Sequence, residues 1–106
     1  MSYPPELKSV DFIELGMVDL EGQLKVRTFL NKNLDKLLTE GFGFDGSSVG
    51  LADIEDSDLV AIPDVSTLKI FENSGHRIAF MLCDILKDGK PYPGDPRFML
   101  KKFLEK

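Results

Sequence analysis

Three stretches hold side chains that could do chemistry. Gly43-Phe44-Asp45-Gly46-Ser47-Ser48 sets a carboxylate and two hydroxyls among glycines. The backbone there can lie close to a ligand, and Asp45 can hold an ammonium group or take its proton. The same string is also ordinary turn chemistry, because Asp-Gly is a common tight-turn pair and serines fill loops. Spacing alone leaves both readings open. Gly46-Ser47-Ser48-Val49-Gly50 matches the G-x-S-x-G elbow of a hydrolase, which needs a strand before it, a helix after it, and an acid and a histidine downstream. Residues 51–57 have no helical period, and the one histidine, His76, sits beside a glycine in a strand turn. The elbow is rejected.

Asp53, Glu55, Asp56 and Asp58 could suggest calcium. A helix–loop–helix calcium loop needs Gly at its sixth place and Glu at its twelfth, and those places hold Asp58 and Asp64. They read instead as solvated acids or contacts for a basic partner. Cys83 has no Cys or His at ligand spacing and lies in the most apolar segment, so it reads as a buried, inert thiol. Phe12, Phe80 and Phe98 have no basic stripe beside them and read as packing groups, not a stacking platform. No metal ligand set is assigned.

The elements that must position these residues belong to a chain of 106 residues, 42% hydrophobic, with net charge −5. That length makes one domain and is too short for an α/β enzyme with its own nucleotide site. The charge argues against a general nucleic-acid binder. No apolar run approaches a membrane span, and MSYPPELK lacks the order of a signal peptide. A single cysteine points to a reducing compartment and a cytoplasmic location. From Leu37 to Leu68 there are seven acids and no Lys or Arg, which leaves +2 for the rest. That segment attracts cations or a basic surface, unless it is simply a solvated loop.

Residues 1–9 read as an extended lead-in around Pro4-Pro5. Val10–Val18 is a strand with Ile13, Leu15 and Met17 on one face, and Asp19-Leu20-Glu21-Gly22 turns it into the alternating strand Gln23–Leu30. Asn31–Gly41 changes to helical period, with Leu34, Leu37 and Leu38 on one face, Asn33 or Asn31 as N-cap and Gly41 at the end. Residues 43–58 read as mostly irregular. Short strands follow at Leu59–Ile62 and Leu68–Phe71, then the long apolar strand Arg77–Leu86, which reads as central. Asp95-Pro96 starts a terminal helix with Leu100, Phe103 and Leu104 as its apolar stripe. The order strand–strand–helix–strand–strand–strand gives an α+β fold, a β-grasp (ubiquitin-like roll): a mixed sheet with one helix packed across it over 10–95, and a terminal helix over 96–106. That helix stops in mid-stripe, so the natural chain is expected to continue past Lys106.

Phe44-Asp45-Gly46-Ser47-Ser48, Glu55-Asp56-Ser57-Asp58-Leu59 with Ile62-Pro63-Asp64, Cys83-Asp84-Ile85, Asp88-Gly89-Lys90-Pro91 and Gly94-Asp95-Pro96-Arg97 resemble, in this order, the N-terminal region of glutamine synthetases. Val18-Asp19-Leu20-Glu21-Gly22 resembles that family's first hairpin. The resemblance implies a β-grasp domain whose Asp-Gly-Ser-Ser loop reaches the active site of a neighbouring subunit in a ring-shaped homo-oligomer. It implies that Asp45 binds and deprotonates ammonium as it attacks γ-glutamyl phosphate, that Ser48 lines the same pocket, and that Gly46 and Ser47 complete the loop. ATP and Mg2+ or Mn2+ would be held by a separate C-terminal catalytic domain, so this chain alone would bind no cofactor and be inactive. Its partners would be that domain of its own chain and of a neighbour, with glutamate and ammonium as substrates. Val49-Gly50-Leu51 is one residue shorter than the family pattern, which keeps a γ-glutamyl ligase for polyamines or other amines as an alternative. A stand-alone β-grasp interaction domain with an acidic docking surface is the alternative from another class.

Overall fold

Ile13, Leu15 and Met17 alternate with residues that cannot all be buried, and this period of two makes the first strand of the core. A computed structural model describes residues 4–19, 21–46 and 58–105. Its elements are β1 (Phe12–Val18), β2 (Leu24–Leu30), α1 (Leu34–Glu40), β3 (Phe42–Asp45), β4 (Asp58–Pro63), β5 (Lys69–Asn73), β6 (His76–Lys87), β7 (Lys90–Pro91) and α2 (Pro96–Leu104), with 3-10 turns at Pro5–Ser9 and Val65–Thr67. The strands join in the order β2-β1-β6-β4-β3, with β5 and β7 also paired to β6. β1 and β6 run parallel, joined in sequence through α1, and the other pairs are antiparallel. This is the expected α+β, β-grasp order, with the long strand at the centre.

α1 lays Leu37 and Leu38 across one face of the sheet, onto Ile13, Leu15, Leu59, Ala61, Ala79, Met81, Cys83 and Ile85. Each of these side chains is nearly or wholly removed from water, which is worth roughly 1.5–3 kcal/mol for a large aliphatic group.

Three expectations change. Residues 5–9 are not extended: they form a 3-10 turn that drops Leu7, 0% exposed, into the core. Asn33 stands at the N-cap position, but its backbone is left-handed (φ 52°) and its side chain makes no capping bond. Asn31 instead donates its amide to Leu7 O at 3.0 Å and Val10 O at 2.9 Å, fastening the lead-in to the end of β2. Residues 43–45, read as irregular, form with Phe42 the edge strand β3. The sequence left open which way the apolar alternation of β2 points, and it faces outward. Leu24, Val26 and Leu30 are about half exposed, while Phe29, with Arg27 over its ring, packs against the core. Gly16 makes room on that outer face, since a Cβ there would lie 2.8 Å from the Phe80 ring and 2.9 Å from Leu24.

Gly41 closes α1 with φ 66°, and a Cβ at this position would sit 1.9 Å from the Ala61 carbonyl oxygen. Backbone strain and a clash with a sheet carbonyl coincide there. Gly41→Ala should therefore destabilise the fold by about 2–4 kcal/mol, read as a lower urea midpoint. A midpoint equal to wild type would show that α1 can shift freely on the sheet.

Candidate functional site

Phe42 and Phe44 alternate with Gly43 and Asp45, so β3 turns its two rings toward the core and its carboxylate outward. β4 pairs with it antiparallel, matching Phe42 with Ala61, Gly43 with Val60, Phe44 with Leu59 and Asp45 with Asp58. Residues directly opposite on neighbouring strands hold their Cβ atoms about 5 Å apart. Asp45 and Asp58 are thus cross-strand neighbours, both exposed, at the outer edge of the sheet. Two carboxylates so placed raise the local negative potential and fit a small cation that can donate charge-assisted hydrogen bonds to both. Gly46, the next residue after Asp45, is buried. Ser47 and Ser48, and the acids Asp53, Glu55 and Asp56, lie outside the described residues.

Edge strands need a reason to stay in place. β2 and β3 stand at opposite ends of the strand order, yet the sheet curls enough to bring them together. Phe29 of β2 meets Phe42 of β3 with ring centroids 5.1 Å apart, and Phe42 meets Phe44 at 6.0 Å. The Arg27 guanidinium lies over Phe29 at 5.6 Å and over Phe42 at 5.3 Å. Aromatic contacts of this kind add about 0.5–1.5 kcal/mol beyond their burial, and the cation over the rings adds to them. The row of rings fixes where Asp45 emerges. Asp58 as the neighbour of Asp45 was not singled out from the sequence. The missing signal was the alternation in 42–45, which marks a strand.

The other candidates fall elsewhere. Cys83 is buried, and burial pushes its thiol up to about 12, so it is no nucleophile near neutral pH. His76 is exposed, with Nδ1 3.7 Å from Asp11 and its ring edge-on to Phe12. Among the described residues, no three His, Cys, Asp or Glu side chains group to hold a metal ion, and no helix is long and apolar enough to cross a membrane.

Asp64, Asp84 and Arg97 meet at the far end of β4, roughly 20 Å from Asp58 by strand rise. Burial alone would raise the Asp64 pKa. Hydrogen bonds from the Ser66 hydroxyl, Arg97 and the Ser66 N–H outweigh it and hold the carboxyl below its ordinary value. A depressed pKa means stability that is present above the ordinary carboxylate range and lost as pH falls through the lowered value. Asp64→Asn should cost about 1–2 kcal/mol at about pH 7, and the gap from wild type should close near or below about pH 3. Urea titrations at both pH values read this; a gap that persists undiminished in acid would contradict it.

Comparison with known proteins bears on the whole chain. Residues 9–88 match the family described as glutamine synthetase, beta-grasp domain. Among curated relatives, glutamine synthetase of Methanococcus voltae is 38% identical over 111 residues, covering 93% of this chain and 25% of its own length. That of Mycobacterium tuberculosis is 40% identical over 107 residues, covering 95% and 24%. The solved Plasmodium falciparum glutamine synthetase superposes with a TM-score of 0.81 at 34% identity, over 96% of this chain and 20% of its own. The chain thus spans about a quarter of the length of the curated relatives it matches.

Proposed function

The chain belongs to the glutamine synthetase β-grasp family, and on that premise we propose that it supplies the ammonium side of a glutamate–ammonia ligase site. The observation that carries this reading is the pairing of Asp45 with Asp58 at the exposed edge of β3 and β4. The two carboxylates accept hydrogen bonds from ammonium and raise its local concentration. As the nitrogen attacks the γ-carbon of γ-glutamyl phosphate, the new C–N bond forms. Asp45 takes one proton from ammonium and so frees the lone pair that attacks; phosphate leaves with the electron pair of the broken C–O bond, and the second proton shed by the nitrogen goes to the departing phosphate. Ser48, with Gly46 and Ser47, would line the pocket beside it.

Two carboxylates at a sheet edge suit a monovalent ammonium ion. In this proposal ATP and the divalent metal are held by a catalytic domain outside the 106 residues, and the site is completed between subunits of a cytoplasmic homo-oligomer. This chain by itself would bind glutamate, ATP and metal too weakly to turn over.

The test has two arms. The 106-residue chain mixed with ATP, Mg2+, glutamate and ammonium should release no phosphate above background. In a full-length synthetase carrying this domain, Asp45→Asn should lower kcat/KM for ammonium about 100-fold, and Asp58→Asn about 10-fold, mainly through KM. Wild-type values in both variants would remove the pair from the reaction. A preference for methylamine or putrescine over ammonium would move the reading to a ligase for larger amines.

A further inference from the structure

Asp64, Asp84, Asp95 and Arg97 come from three separate sequence motifs that the ammonium site leaves unused, and the fold gathers them around α2. Apolar packing does not hold this helix down. None of its residues is buried, and Met99, Leu100, Phe103 and Leu104 are between 46 and 73% exposed. Phe98 faces a groove of about 310 Å³ that runs between the helix and Asp84, Ile85, Leu86 and Pro91.

Polar ties take the place of packing. At the helix start Asp95 is 2% exposed; one carboxylate oxygen accepts from Ile85 N–H at 3.0 Å and the other caps α2 by accepting from Arg97 N–H at 3.0 Å. Less than one turn further on, the Arg97 guanidinium, 16% exposed, donates to Asp64 Oδ2 and to Asp84 Oδ1, each at 3.0 Å. Lys101, one turn beyond, reaches Asp84 Oδ1 at 2.9 Å from a half-exposed position. The acceptors are already fixed without α2. Asp84 lies on β6, and Asp64 is held by Ser66 N–H at 3.1 Å and the Ser66 hydroxyl at 2.7 Å.

We propose that Arg97 is a latch and Asp95 a pivot: α2 is an arm that leaves the sheet as a unit when the Arg97 fork is lost, while the sheet stays folded. The planar guanidinium can bridge two carboxylates at once, which the point charge of a lysine does poorly. Without it, only the half-exposed Lys101, 2.9 Å from Asp84 Oδ1 and 4.0 Å from Asp64 Oδ2, stands between the two carboxylates, and it holds Asp64 loosely. Of the core residues beneath α1, Ile85 meets this region, through its N–H bond to the Asp95 pivot and along the groove that Phe98 faces, so release of the helix beyond the pivot leaves the core packed. Once undocked, a nine-residue helix is marginal in water and frays or melts.

Hydrogen exchange and residual dipolar couplings on the 15N-labelled chain test this. In wild type at low salt the α2 amides should be protected, and their couplings should fit the alignment of the sheet. In Arg97→Met, α2 protection should fall about tenfold or more and its couplings collapse, while Ala79–Cys83 amides stay within about twofold. Roughly 1 M NaCl should push wild type the same way, because partly exposed ion pairs are screened. An α2 that keeps its protection and orientation in Arg97→Met overturns the proposal. So does loss of protection in β6 in step with α2, which would make the helix part of the cooperative core. If the variant does not fold, the salt titration of wild type decides between the same two results.

Discussion

A buried strand must find a partner for every backbone N–H and C=O it removes from water, and β6 is where that demand is greatest. Twelve residues long, it buries Ala79, Met81, Cys83 and Ile85 on its inner face almost completely. β1 serves one side as far as Leu82; β5 and β4 serve the other. Between β5 and β4 the ladder has a gap. Thr67 fills it by accepting from Leu82 N–H at 2.8 Å through its hydroxyl, and Asp64 N–H donates to Leu82 O at 2.8 Å. Past the end of β1 a second gap opens, and there Tyr92 N–H donates to Ile85 O while the Asp95 carboxylate accepts from Ile85 N–H. Burial raises the Asp95 pKa above its ordinary value despite the backbone hydrogen bonds that counter it. A carboxylate that is costly to bury is kept because the strand next to it would otherwise hold an unmatched N–H.

These gap-filling groups are also the ones that carry the chain into its peripheral parts. Asp64 follows the end of β4, whose first residue is Asp58 in the candidate site. Asp95 starts α2. The ladder of β6 thus sets both the strand that presents one half of the acidic pair and the pivot of the terminal helix. The other half, Asp45, depends on the curl of the sheet, which brings β3 against β2 through Phe29, Phe42 and Phe44. A flatter sheet of the same strands would leave β3 as a free edge.

Strong local periodicity was legible. Ile13, Leu15 and Met17 with period two, and Leu34, Leu37 and Leu38 with helical spacing, lead directly to β1 and α1, and the apolar run at 77–86 leads to the centre of the sheet. Where the signal was weak, the reading stopped short. β3 is four residues long and contains a glycine, so it reads as loop until β4 is known to lie beside it. The alternation of β2 was visible, but its direction was not. Leu24 sits on the outer face beside Gly16 and the ring of Phe80, and Phe80 is far away in sequence. Asn31 looked like a cap because caps are local; its real partners, Leu7 and Val10, lie more than twenty residues back.

By itself the sequence determined the class of the fold and the ordered motifs that mark the family, and it singled out Asp45 as a candidate. Each of these is written in neighbouring residues, in period, turn chemistry and spacing, and needs no distant contact to be read. Only the tertiary structure decided that Asp58 stands opposite Asp45, that Asp64 and Asp84 share one arginine, and that α2 is held by charge while its apolar face stays open. Those facts depend on strand register and sheet curl. A shift of one residue in register would turn Asp58 to the other face of the sheet, and nothing local in the chain records which register wins.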